Sequence, residues 1–222
     1  MAAKAVPSPR LTTLLALLFI PSIILNGIFL FRQQSMKKDQ GVGVISVYDG
    51  DTLILDNKER LRLRQLDAPE LTFCGGPEAK AALEKLVSNK RIRITEQIPD
   101  QQGRGMALVY VGDTLVNQEL LAKGFVRYHS DMTSQTPVLK TAADEAKAKK
   151  LGIYGVCMSL TNNKNPRCVI KGNIDRQKKT YHLPGCTQYP FTVVEEDVGE
   201  QWFCTEKEAR EAGYIKSERC EK

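Results

Sequence analysis

The longest apolar stretch of the chain runs from Leu11 to Phe31 and carries no charge. About 20 helical residues rising ~1.5 Å each cross a ~30 Å hydrocarbon core. The pattern therefore predicts a transmembrane helix over 11–31, behind an N-terminal tail at 1–10. A cleaved signal peptide fits less well, because its apolar part is usually shorter and ends in small residues. This run ends Gly27-Ile28-Phe29-Leu30-Phe31-Arg32. Pro21, Asn26 and Gly27 are tolerated within such a helix. The polar residues 32–41 read as a linker.

Past residue 41 the hydrophobic period shortens to two. Val42, Val44 and Ser46 alternate with Gly43, Ile45 and Val47, and Asp49-Gly50 marks a turn. Thr52–Leu55 reads as a second strand. In Leu61-Arg62-Leu63-Arg64 the leucines are expected on one face and the arginines on the other, with Pro69 ending the strand. Arg91–Ile94 and Met106–Val111 supply two more strands. Between them the period lengthens. Gly75-Gly76-Pro77 opens a helix whose apolar face is Ala81, Leu83, Leu86 and Val87, with Pro77 in its first turn. A helix from about Val116 to Lys123 stops at Gly124, and a longer one runs from about Pro137 to Lys150. Five strands with packed helices predict an α+β domain over 42–157, built on an OB-like five-stranded β-barrel.

Residues 161–167 are polar and read as a second linker. From 168 to 222 a smaller module is expected. Lys179–His182 reads as a strand, and Thr205-Glu206-Lys207-Glu208 as a capping box opening a helix that Gly213 ends. A module of ~55 residues buries little apolar surface, so a staple is expected, either disulfide or metal.

Composition changes this picture in two ways. The 222 residues carry a net charge of +6, but the excess is local. Lys4, Arg10, Arg32, Lys37 and Lys38 face only Asp39 in the first 40 residues, whereas residues 41–160 hold sixteen basic and fifteen acidic side chains. Bulk charge thus points to membrane flanks rather than to phosphate. Two basic residues precede the span and three follow it, a near tie that by strict count slightly favours the C-terminal side inside. The cysteines argue the other way. Cys74, Cys157, Cys168, Cys186, Cys204 and Cys220 form an even set without a Cys-x-x-Cys pair, which suits an oxidising compartment. The expectation is a single-pass cell-membrane protein with its main domain extracytoplasmic.

The candidate chemistry lies in the barrel. Hydrolysing a phosphodiester needs a carboxylate to activate or orient water, positive charge on the phosphate oxygens, and, with advantage, a hard cation on oxygen ligands. Asp49-Gly50-Asp51-Thr52 sits at a turn, Arg62 on the next strand, Asp67-Ala68-Pro69-Glu70 just after it, and Gly103-Arg104-Gly105 at the start of a later strand. Each piece alone is weak. A lone Asp–Arg pair on such strands is ordinarily a surface ion pair worth ~0–1 kcal/mol, and Asp49 is better read as a turn residue than as a ligand.

Taken together, Asp-Gly-Asp-Thr, Arg-x-x-x-x-Asp-x-Pro-Glu, Gly-Arg-Gly and Val116–Gly124 resemble the staphylococcal (thermonuclease-like) nuclease family, in order and over about 42–157. The resemblance implies Ca²⁺ held by the carboxylates of Asp51 and Asp67 and the carbonyl of Ala68. It implies Glu70 as the residue that activates or orients water, and Arg62 and Arg104 as the pair that binds the phosphate. The fork of arginine, which makes two parallel bonds to phosphate oxygens, suits that task. Three residues depart from the family. Gln101-Gln102 stand where a Lys-Tyr pair grips a terminal phosphate, and Ala68 stands where a threonine is common. Tyr128 and His129 are candidates for stacking on a base, with barrel packing an equal alternative for the tyrosine.

The C-terminal module has a weaker likeness. Tyr181–Cys186, Trp202–Thr205 and Glu208–Tyr214 resemble the small zinc-binding domain at the start of bacterial alkylation-response DNA repair proteins. Ser217 replaces one cysteine of its final pair, so an intact copy of that site is not expected. Cys168, Cys186, Cys204 and Cys220 are left with three options: two disulfides, zinc in another arrangement with His182 contributing, or free thiols. Pairing the remaining Cys74 and Cys157 would clip the first helix to the end of the barrel domain. The expected function is a membrane-anchored, Ca²⁺-dependent nuclease acting on single-stranded DNA or RNA, with no obligate protein partner. The alternative is a non-catalytic barrel that binds nucleic acid or peptide at the membrane surface.

Overall fold

The computed structural model describes residue 22, residues 24–30 and residues 41–220. Residues 22 and 24–30 are helical, and Asn26 donates to the Ser22 carbonyl at 2.8 Å. Most of the span expected at 11–31 lies outside the described residues. Among the described residues, no helix is long and apolar enough to cross a membrane.

From Val42 onward the chain forms one compact unit. Its first half is the barrel: β1 (Val42–Val47), β2 (Thr52–Leu55), β3 (Arg60–Leu63), β5 (Arg91–Pro99) and β6 (Gly105–Val111), with the two-residue β4 (Leu66–Asp67) between β3 and β5. The sheet order is β3-β2-β1-β5-β6, and a parallel β3–β6 pairing, Leu61 opposite Gly105 and Leu63 opposite Ala107, closes it. Closure removes the open edges that a flat sheet would present to other chains. Leu53, Leu61, Leu63, Ile92 and Leu108 fill the interior, each no more than 1% exposed.

The expected alternation of β1 fails part-way along. A bulge between Val44 and Ser46 shifts the register, so that Ile45 and Ser46 are both exposed and Val47 points inward. One extra residue in a strand flips every side chain beyond it. The strand expected at Arg91–Ile94 continues to Pro99, across a second bulge against β6. Arg64, expected to face outward with Arg62, lies in the turn after β3 and is buried. It donates to Asp131 at 2.6 Å and to the carbonyls of Glu96 and Met132, both at 2.8 Å.

Three helices cover the barrel: α1 (Gly76–Val87), α2 (Val116–Ala122) and α3 (Thr136–Ala148). α1 buries Ala79, Leu83 and Val87, spaced at 3.6-residue periodicity. Buried Asn117 of α2 ties its helix to the barrel, accepting from the Val109 amide at 3.0 Å and donating to the Arg64 carbonyl at 2.9 Å. The chain then passes β7 (Thr114–Leu115), β8 (Arg127–Tyr128), the short α4 (Ile153–Val156) and β9 (Met158–Ser159).

The C-terminal part is a four-stranded sheet in the order β13 (Trp202–Phe203), β10 (Ile170–Asp175), β11 (Lys178–His182), β14 (Ile215–Lys216). α5 (Glu206–Glu211) packs on it around Ile170, Tyr181, Phe203, Ala209 and Tyr214. Thr205 caps α5, accepting from the Glu208 amide at 3.2 Å, while the Glu208 carboxylate returns to the Cys204 amide at 2.9 Å. β12 (Val194–Glu195) pairs with β9. All six cysteines form disulfides: Cys74–Cys157, Cys168–Cys204 and Cys186–Cys220. Of the three options for the module, the structure has the two disulfides, and among the described residues no group of three or more His, Cys, Asp or Glu side chains is placed to hold a metal.

Candidate active site

The turn between β1 and β2 is shaped by its own side chains. Asp49 accepts from the Asp51 amide at 3.1 Å, the bond of an Asx turn. Gly50 is required by packing, because a Cβ there would come within 2.7 Å of the Cβ atoms of both Ala68 and Ala79. The turn is thereby pressed against α1 and the segment after β4, and Asp51 is carried inward to 1% exposure.

Asp51 is saturated with donors. Its carboxylate accepts from Arg62 Nη1 at 2.8 Å, Thr52 Oγ1 at 2.9 Å and the Ala68 amide at 3.0 Å, and lies 2.7 Å from Arg62 Nη2. Burial pushes its pKa up to about 7, against the opposing pull of Arg62 and the Ala68 amide. Arg62 Nη2 also reaches Asp67 Oδ1 at 2.9 Å. One guanidinium thus bridges a buried carboxylate and an exposed one.

Arg104 is set by a second Asx turn, between β5 and β6. Asp100 accepts from the amides of Gln102 and Arg104, both at 2.8 Å, and from Arg104 Nε at 2.6 Å. Burial works against ionisation of Asp100, but the bonds from Arg104 and Gln102 outweigh it and hold the carboxyl below its ordinary range. Gly103 takes the left-handed conformation (φ +78°) that lets the turn close. Arg62, Asp67, Arg104, Gln101, Gln102 and His129 line one cleft of about 540 Å³.

Of the residues singled out in the sequence, Asp51, Arg62 and Asp67 meet directly, and Arg104 shares the cleft with Arg62 and Asp67. Ala68 joins them through its amide, and its carbonyl accepts no hydrogen bond from the described residues. Glu70 stands apart. It is exposed three residues past Asp67, its carbonyl accepts from the Phe73 amide at 2.8 Å, and its carboxylate has no hydrogen-bonding or ion-pair partner among the described residues. Tyr128 packs against the core and its hydroxyl accepts from Gln65 at 3.1 Å, which decides for barrel packing, whereas His129 does line the cleft.

Two residues of the site were not read from the sequence. Asp100 had a signal, since Asp followed by Gln-Gln-Gly fits an Asx turn. Gln65 had none. Buried and held at φ +60°, it donates to the Asp131 carbonyl and to Thr136 Oγ1 at 3.0 Å, and so fixes the far wall of the cleft.

The donor set at Asp51, Asp67 and Ala68 is all oxygen, two carboxylates and one carbonyl. That chemistry suits a hard divalent cation rather than a thiolate- or imidazole-seeking one. The position between the carboxylates already attracts positive charge, since the Arg62 guanidinium lies there. Among the described residues, no group of three or more His, Cys, Asp or Glu side chains forms a metal cluster.

Comparison with known proteins adds a lineage. The profile of the family described as "Staphylococcal nuclease homologue" matches residues 60–155. An uncharacterized endonuclease of Haemophilus influenzae is 31% identical over 115 residues, covering 50% of this chain and 64% of that protein. A probable staphylococcal-like nuclease of Oryza sativa subsp. japonica is 31% identical over 121 residues, covering 54% of this chain but 36% of that protein. The chain therefore spans less than two thirds of the length of these two relatives. A thermonuclease of Staphylococcus intermedius is 30% identical over 164 residues, covering 65% of this chain and 98% of that protein.

Proposed function

We propose, from the premise that this chain belongs to the staphylococcal nuclease family, that it is a Ca²⁺-dependent nuclease hydrolysing phosphodiester bonds of single-stranded DNA or RNA. The observation that carries this reading is the placement of Arg62, which bridges Asp51 and Asp67 at 2.7 and 2.9 Å and shares one cleft with Arg104. A phosphate entering the cleft meets two guanidinium groups. Arg62 can turn its fork from the carboxylates to the phosphate oxygens, and Arg104, braced by Asp100, meets the substrate from the opposite strand connection. Together they stabilise the charge that builds on the equatorial oxygens.

Asp51, Asp67 and the Ala68 carbonyl would hold Ca²⁺, which when bound supplies Lewis-acid polarisation of the phosphate. Glu70, exposed and without a partner among the described residues, is free to orient the attacking water or accept its proton. Gln101 and Gln102 line the cleft without charge, so the grip on a terminal phosphate is weaker than a Lys-Tyr pair would give. Three disulfides favour an oxidising compartment, and the apolar run at 11–31 favours attachment to a membrane with the barrel outside the cytoplasm.

Kinetics on a labelled single-stranded oligonucleotide with the full-length protein test the assignment of roles. Glu70→Gln is expected to lower kcat by about 100-fold or more with KM little changed. Arg62→Lys, which keeps the charge and loses the fork, is expected to lower kcat/KM by about 100-fold. Wild-type rates in both variants would contradict the assignment. Oligonucleotide binding without any cleavage by the wild type would favour the non-catalytic alternative.

A further inference from the structure

The family profile ends at residue 155, but the loop that follows β12, well beyond it, reaches back to the candidate site. β4, which carries Asp67, pairs with β8 in a two-stranded sheet, with Asp67 directly opposite Arg127. The side chain of Arg127 is committed to the C-terminal module. Its Nε and Nη2 meet the two oxygens of Asp197 at 2.6 and 2.9 Å, and Nη2 also meets Glu195 at 2.8 Å. The Asp197 side chain is fully buried. A two-bond fork onto a carboxylate enclosed by protein leaves the base of β8 little freedom to slide.

The same loop touches the segment after Asp67 at two further points. Gly199 lies against the Phe73 ring so closely that a Cβ would come within 2.7 Å of it. The Phe73 amide in turn donates to the Glu70 carbonyl at 2.8 Å. Next to it, Cys74 is bonded to Cys157, whose carbonyl accepts from the Glu196 amide at 2.8 Å.

We infer that the loop at 195–199 is a built-in brace of the site, and that Asp197 is a positioning residue for Asp67, acting through Arg127. The C-terminal module is then a working part of the nuclease site rather than an appended domain. This rests on reading Asp67 as a Ca²⁺ ligand. Supports of this outer kind typically change metal affinity about 10- to 100-fold when altered. A merely adhesive ion pair between the two halves would instead change stability alone.

Calorimetric titration of the full-length protein with Ca²⁺ alone, without nucleic acid, separates these. Asp197→Asn is expected to weaken Ca²⁺ binding about 10-fold. Tyr181→Phe, which removes the bond of a buried hydroxyl to Glu206 in the module core, is the control for lost stability and is expected to bind Ca²⁺ as the wild type does. If Asp197→Asn does not fold, Arg127→Lys tests the same link, since it keeps the charge and loses the fork. Wild-type affinity in the folded Asp197 or Arg127 variant would overturn the inference, as would equal weakening by Tyr181→Phe. A wild type that binds no Ca²⁺ would overturn the reading of the site itself and this inference with it.

Discussion

Glu200 shows how one carboxylate can make folding depend on pH. It is 3% exposed and accepts from Asn173 Nδ2 at 2.6 Å and from the amides of Ile174 and Glu195, both at 2.8 Å. Burial raises its pKa from 4.5 to about 7, although the two amides pull it down. Between those values the folded chain keeps a proton that the unfolded chain has released. Its contribution to stability therefore falls as pH rises from about 4.5 to about 7. Asp51, raised for the same reason, acts in the same direction. Glu200→Gln cannot ionise, so the wild type is expected to lose stability relative to this variant between about pH 4.5 and pH 7 and to hold a constant gap above that. Thermal melting of both proteins in chelator checks this, and a gap that stays constant across that window would contradict it. At this scale the residue types of Asp51, Arg62, Asp67 and Arg104 were legible, because their pieces keep a fixed order. The partners that aim them were less so. Gln65 and Asp131 are 66 residues apart in sequence, and nothing local to either announces the other.

Strands and helices were legible where the hydrophobic period had room to repeat. Leu61 and Leu63 face inward and Arg62 outward, as their alternation requires. The helices at Gly76–Val87, Val116–Ala122 and Thr136–Ala148 were marked by proline or glycine near their ends, although the apolar face expected for the first included Ala81, which is exposed, and left out Ala79, which is buried. Where tertiary pairing sets the register, the pattern failed. The β1 bulge turns Val47 inward against the simple alternation, and β5 outruns its apolar core because β6 gives it a partner as far as Pro99. β4 and β8 are two residues each, too short for any period, yet their pairing places Asp67. Arg64 shows the same limit from the side of charge. Alternation put it outside with Arg62, but Asp131 and two carbonyls, all contributed from distant parts of the chain, draw it in.

Over the whole molecule, the even cysteine count foretold staples but not their full pairing, since six cysteines allow 15 connectivities. The link between Cys74 and Cys157 closes a loop with a sequence separation of 83, joining the start of α1 to the last turn before β9. Chain entropy assigns a loop of this length up to about 4.5 kcal/mol. Replacing both cysteines with serine is expected to cost a large part of that, read as a lower midpoint in urea denaturation. An unchanged midpoint would show that the loop is already constrained by other contacts.

The most direct test follows from the oxygen donors and the paired guanidinium groups taken together: the rate at which full-length protein cleaves a labelled single-stranded DNA, measured in millimolar Ca²⁺ and again after the ion is removed with a chelator. Cleavage in Ca²⁺ that stops in chelator and returns when Ca²⁺ is restored is the predicted result. No cleavage in either condition, or equal cleavage in both, would contradict it.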